Sequence, residues 1–180
     1  MTIDGDSSAV EVRVPEGTDL VIGTTSGKVI VDGRVGAISV LTTSGRISID
    51  QASSVDARTK SGRVDVRHAE GVCRIVSASG RVTVDRCGAA DAASGNGRVV
   101  LADAHGRVRA TSTTGKVSVA VAGAHDVAAE TVSGRIEVSY PVGVRPLVVS
   151  PDPDATAATQ GHDCTVVARS GSGRVVVSSR

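Results

Sequence analysis

Aromatic side chains are almost missing from this chain: it has one tyrosine, Tyr140, and neither phenylalanine nor tryptophan. Without rings there is no platform on which to stack nucleobases. The amphipathic faces on which sugars usually lie are missing as well. Net charge is also scarce: 20 basic residues against 19 acidic leave +1, so bulk charge calls for neither nucleic acid nor an anionic membrane. No apolar run approaches the ~18 residues of a membrane-spanning helix. The opening Met1-Thr2-Ile3-Asp4-Gly5-Asp6 has neither the basic nor the apolar segment of a secretory leader. The expectation is a cytoplasmic protein, or a cell-surface one if an export signal has been removed. Cys73, Cys87 and Cys164 are an odd set with no CxxC spacing. They read as small core residues of a reducing compartment, not as a disulfide framework. Lysine is rare beside arginine, and together with abundant Ala and Val this hints at a GC-rich bacterial genome.

What the chain has is a beat. Gly27, Gly45, Gly62, Gly80, Gly97, Gly115 and Gly134 are spaced 18, 17, 18, 17, 18 and 19 residues apart, and Gly173 follows after 39, close to two periods. Each is followed by Lys or Arg and then by Val or Ile. A unit this short has too little apolar surface to stand alone, so it must stack on its neighbours.

Counting from each glycine gives columns. Two residues on stand Val29, Ile47, Val64, Val82, Val99, Val117, Ile136 and Val175. Four on, the residues are again all apolar, from Val31 to Val177. This period-2 alternation, rich in β-branched residues, marks a half-buried strand. A second strand precedes the glycine, with apolar residues seven back (Leu20 to Val166) and five back (Ile22 to Ala168), Ser or Thr three back (Thr24 to Ser170), and mostly Ser one back (Ser26 to Ser172). Shared parity predicts that all four of these columns point inward. Turns are expected near Asp32-Gly33, Glu70-Gly71 and His105-Gly106.

The predicted fold is all-β: a single-stranded parallel β-helix, or β-solenoid, of about nine coils of 17–19 residues. The crossover rule favours a right-handed wind, and the aliphatic-Gly beat every six residues that a left-handed hexapeptide helix needs is missing. We read one domain over residues 1–180, with regular coils over about 10–139, an irregular proline-rich coil or loop over 140–164, and a terminal coil over 165–180. Val10, Val12 and Val14 form a first coil without glycine. Leu147 and Val149 mark a degenerate coil, followed by a Pro-Asp loop from Pro151 to Thr156.

Ser-Gly corners followed by a short Val/Ile strand resemble the bacterial adhesin-type family of β-strand-repeat proteins. The ending Cys164-Thr165-Val166-Val167-Ala168-Arg169-Ser170-Gly171-Ser172-Gly173-Arg174-Val175 is similar to that family's last coil. The resemblance covers residues 10–180 and implies a β-solenoid with no assigned activity, while the family word implies a secreted protein. Where that family commonly has an acidic residue after the corner glycine, this chain has a cation in every coil.

Catalytic, cofactor and metal motifs do not emerge. His68, His105, His125 and His162 fall at different offsets, and no HExxH, P-loop or nucleotide-binding glycine motif is present. Asp152 and Asp154 are the only irregular surface large enough to hide a small site, and a cap or spacer is the simpler reading of it. Inward parity of the Ser/Thr columns argues against an ice-binding array. The remaining candidate is the cation column: Lys28, Arg46, Arg63, Arg81, Arg98, Lys116, Arg135 and Arg174. Its simpler reading is arginine stems covering the corner with solvated heads, partly neutralised by Asp32, Asp50, Asp65 and Asp85.

The function expected is therefore non-catalytic. We read a rigid scaffold that presents regular columns to protein partners or to copies of itself, joined through rod ends or a flat face. The terminal strand Arg174–Val177 is bare and suited to templating. The alternative is a polyanion-binding module on the cation column, for a nucleic-acid backbone or a wall polymer, with nucleic acid the less favoured. No cofactor and no membrane insertion are expected.

Overall fold

The computed structural model describes residues 1–5, 10–12, 14–149 and 162–179. Eight strands run through them in one sheet, without a helix: β1 (Thr2–Gly5), β2 (Val10–Val12), β3 (Leu20–Ala104), β4 (Val108–Val121), β5 (Val127–Tyr140), β6 (Pro146–Val149), β7 (Cys164–Ser172) and β8 (Val175–Ser179). All pairing between them is parallel. The fold is an all-β parallel solenoid. Strand β3 winds continuously through several repeats, so the two strands and the turn expected in each coil merge into one extended path.

The repeat sets the register. Val108 lies beside Ala90, Val127 beside Val108, and Val166 beside Val127; Gly115 lies beside Gly97, and Gly134 beside Gly115. The apolar columns line a continuous core: Val29, Ile47, Val64, Val82, Val99, Val117, Ile136 and Val175 are all buried, as are the residues seven and five before each glycine. Each buried valine stabilises the stack by about 1.5–3 kcal/mol relative to an exposed one. Alanine dominates the column five before the glycine (Ala57, Ala92, Ala110, Ala129, Ala168), and all five are buried.

A third inward column closes each coil. Ala52, Ala69, Cys87 and Ala104 lie seven residues after their glycines, with Val35, Val121 and Tyr140 drifting to either side of that offset. The step to Val121 is a register irregularity between Leu101 and Ala104, where Ala104 pairs with Val121. Tyr140 is the largest buried side chain, and its hydroxyl donates to the His125 carbonyl at 2.8 Å.

Two expectations are corrected. The column one residue before the glycine does not face inward: Ser61, Ser79, Asn96, Thr114, Ser133 and Ser172 are exposed, and Ser26 and Ser44 are half-buried. The corner starts to bend after the buried residue three back, so both residues before the glycine already lie outside. The second correction concerns the proline-rich segment. Residues 146–149 do not form a coil between β5 and β7. Strand β7 pairs directly with β5, across the 39-residue gap from Val127 to Val166, and β6 pairs with β7 on its far side, Pro146 beside Cys164. Proline cannot donate a ladder bond, so the start of an edge strand is where it is tolerated. The Pro151 to Thr156 loop, including Asp152 and Asp154, lies outside the described residues.

Candidate functional site

The corner glycines form a long, regular edge of the rod. Their φ is between +143° and +156° throughout the column, a region that side chains resist. A Cβ placed on Gly45, Gly62, Gly80, Gly97, Gly115, Gly134 or Gly173 would run into the carbonyl oxygen of the glycine one coil earlier. The backbones therefore stack glycine on glycine.

Rows of side chains flank that strip. On one side runs the cation column. Lys28, Arg46, Arg81, Arg98, Arg135 and Arg174 are exposed, and Arg63 and Lys116 half-buried. Arg98 stands beside Lys116, and Lys116 beside Arg135, in the strand register. On the other side runs the Ser/Asn/Thr row that sequence parity had turned inward. Its exposure was hidden because parity counting assumes an unbroken pleat up to the glycine.

The carboxylates expected to neutralise the column do little of that. Asp50 pairs with Arg67, while Asp32, Asp65 and Asp85 make no ion pair with the column among the described residues. A different residue, Glu137, binds the Lys116 ammonium at 2.6 Å and the Arg135 guanidinium at 3.6 Å. The hydrogen bond from Lys116 holds the Glu137 carboxyl below its ordinary range, against a smaller opposing effect of desolvation. Lys28, Arg46, Arg63, Arg81, Arg98 and Arg174 have no carboxylate within ion-pair distance among the described residues.

Beneath the corner lies the column three before the glycine, and it is divided. Thr24, Thr42 and Thr59 are buried and donate to the carbonyl two residues on, at 3.3–3.4 Å. Ser170 donates to the Gly134 carbonyl at 3.2 Å. The four between them, Ser77, Ser94, Ser112 and Thr131, are buried with hydroxyls that meet no partner. An open groove of about 540 Å³ runs over these same four, walled by residues such as Ala93, Thr111, Thr113 and Val132, with Glu130 and Arg169 at one end. A second groove, of about 320 Å³, collects Asp32, Asp50, Asp65, Asp85 and Arg67 on the neighbouring face.

His105 Nε2 lies 3.0 Å from Asp103 Oδ2, which also accepts from Arg86. Desolvation pushes the Asp103 carboxyl up, but these two bonds outweigh it and leave it below its ordinary range. Cys73, Cys87 and Cys164 are unpaired and buried. Burial pushes all three thiols up, Cys87 to about 11, which keeps them protonated and poorly nucleophilic. No group of three His, Cys, Asp or Glu suited to a metal ion occurs among the described residues.

These features define a repeat rod: a parallel β-solenoid with one glycine-lined, cation-bearing edge. The chain matches the family model described as Toastrack DUF4097 over residues 1–175, and it belongs to that family. No curated protein and no solved structure matches it.

Proposed function

We propose that the chain is a non-catalytic structural or interaction protein: a stiff right-handed rod of about nine coils that joins protein partners or further copies of itself through its ends. The observation that carries this reading is the pairing of the terminal strands. Strand β8 pairs with β5 on one side, and β1 and β2 pair with β3 on one side; none has a second neighbour among the described residues. Strand β6 covers β7 only over Cys164–Val167. Uncovered parallel edges accept further strands, and the two ends of a parallel rod are complementary in direction. Three protonated, buried thiols suit packing in a reducing compartment and so support a cytoplasmic rod without thiol chemistry.

The test is light scattering over a wide concentration range, with Val177→Pro as the variant. Ile136 donates its N–H to the Arg174 carbonyl at 2.9 Å, so by strand alternation the N–H of Val177 faces the open edge. Proline there removes an outward donor without breaking the ladder to β5. The wild-type chain is expected to form larger species at high concentration, and Val177→Pro to remain monomeric with an unchanged circular dichroism spectrum. A wild-type chain that stays monomeric throughout rejects the reading.

A further inference from the structure

Charge is segregated along the corner edge. From four residues before each glycine to one after it, the eight cations of the column are joined by Arg58, Lys60 and Arg169, and the only carboxylate in these stretches is Glu130. The whole chain nonetheless carries a net charge of +1. Its compensating acids stand on other faces. Asp32, Asp50 and Asp85 lie four residues of extended strand beyond the column, about 13 Å away, which exceeds the ~8 Å screening length at physiological salt. Only Asp65 and Glu137 come within two residues of it.

Three further observations fall on the same edge. The exposed Ser, Asn and Thr row supplies neutral hydrogen-bond donors parallel to the cations. The glycine strip between the two rows has no side chains of its own, and its backbone is half-buried from Gly27 to Gly134. The 540 Å³ groove runs alongside, and the hydroxyls it covers, Ser77, Ser94, Ser112 and Thr131, are the ones with no partner in the protein. The hydroxyls before and after them in the column are bonded. These four hydroxyls are buried, and the groove, whose charged lining is Glu130 and Arg169, lies beside the cation column without including it.

We propose that this edge binds a linear phosphate polymer that carries no bases. Six of the eight column cations are arginine, whose planar fork matches phosphate oxygens two at a time. The exposed hydroxyls one residue before the glycines, such as Ser61, Ser79 and Ser133, donate to the same oxygens. One cation per coil, at the ~4.8 Å strand spacing, suits a chain charged at every monomer, lying along the rod. No aromatic residue stands on the edge to stack a base, so the polymer is read by its charges alone. The site is separate from the rod ends and does not depend on assembly.

Inorganic polyphosphate is the probe, with binding followed by fluorescence anisotropy at rising salt. The wild-type chain is expected to bind at low salt and to lose affinity steeply as salt rises. Arg63→Gln, Arg81→Gln and Arg98→Gln combined should weaken binding about tenfold or more, and flatten the log–log salt dependence by roughly 0.7–1 per cation removed. Thr113→Glu, which places a carboxylate in the groove, should weaken it as well. Arg109→Gln with Arg145→Gln, exposed cations away from the edge, should leave binding close to wild type, as should Val177→Pro. Circular dichroism melts establish that each variant is folded. No binding by the wild-type chain, unchanged binding by the triple variant, or equal loss in the Arg109/Arg145 control overturns the assignment. Tighter binding of single-stranded DNA than of polyphosphate overturns its base-free character.

Discussion

Gly97 lies directly upon Gly80: a methyl group added to Gly97 would collide with the Gly80 carbonyl oxygen at a distance no real Cβ adopts, and Gly97 has φ +156°. Gly97→Ala combines backbone strain with a collision against immovable main chain. We expect it to lower stability by at least about 3 kcal/mol. Gly33 also has a positive φ, +87°, but faces open space. Gly33→Ala should cost only about 1–2 kcal/mol. Chemical denaturation of the two variants side by side separates the stacking role from the turn role, and equal losses would contradict it.

The divided hydroxyl column predicts opposite effects of similar substitutions. Thr42 spends its hydroxyl on the Ser44 carbonyl at 3.3 Å, so Thr42→Val should cost about 0.5–1.5 kcal/mol. Ser112 is buried without a partner, so Ser112→Ala should be neutral or slightly stabilising. Thermal melts read both, and a clear loss at Ser112 would mean that its hydroxyl is satisfied after all.

Tyr140 anchors the end of β5 from within the core. Tyr140→Phe keeps the ring but leaves the His125 carbonyl without its 2.8 Å donor, at an expected cost of about 1 kcal/mol. Tyr140→Ala opens a cavity and should cost about 3–5 kcal/mol. Urea midpoints distinguish the two.

Glu137 predicts a pH effect. Its folded carboxyl titrates below the ordinary range because Lys116 and Arg135 hold it ionised. The stabilisation it brings is complete above the unfolded glutamate value of about 4.3 and is lost as pH falls through the folded value. Glu137→Gln should lower stability at pH 7 by about 0.2–1 kcal/mol. The difference from wild type should vanish in strong acid. A gap that persists below pH 3 would assign the loss to packing.

The thiols should be silent in the native state. Burial raises Cys73, Cys87 and Cys164 above their ordinary range, so labelling by a disulfide reagent at pH 8 should wait on opening of the coil. Fast labelling of the folded chain would show that a thiol is accessible.

Much of the architecture was legible because a period-2 pattern repeated on a glycine beat has few alternatives. The columns at Val29 and Ile22 announced the core. Ser79 and its equivalents were misplaced because alternation is a rule of extended backbone, and the bend begins before the glycine rather than at it. The third apolar column escaped because it drifts from Val35 to Ala52 to Tyr140 relative to the glycines. The position of β6 left no local trace at all: Pro146–Val149 reads like any short strand, and only its distant partner, Cys164–Val167, fixes where it goes. The cation edge was visible as a row. Its separation from the carboxylates needed the third dimension, since Asp85 is close to Arg81 in the chain but on another part of the face.

The reversed order of β6 and β7 bears on how the molecule is made. As the chain leaves the ribosome, successive regular turns can settle on turns already laid down, because their partners have been translated first. Residues 146–149 emerge before 164–167, the strand segment with which they pair among the described residues. At usual elongation rates that is a wait of about a second or more. The distal tip is therefore the last part to close, and until it does, nascent β5 is the growing face open to quality-control factors.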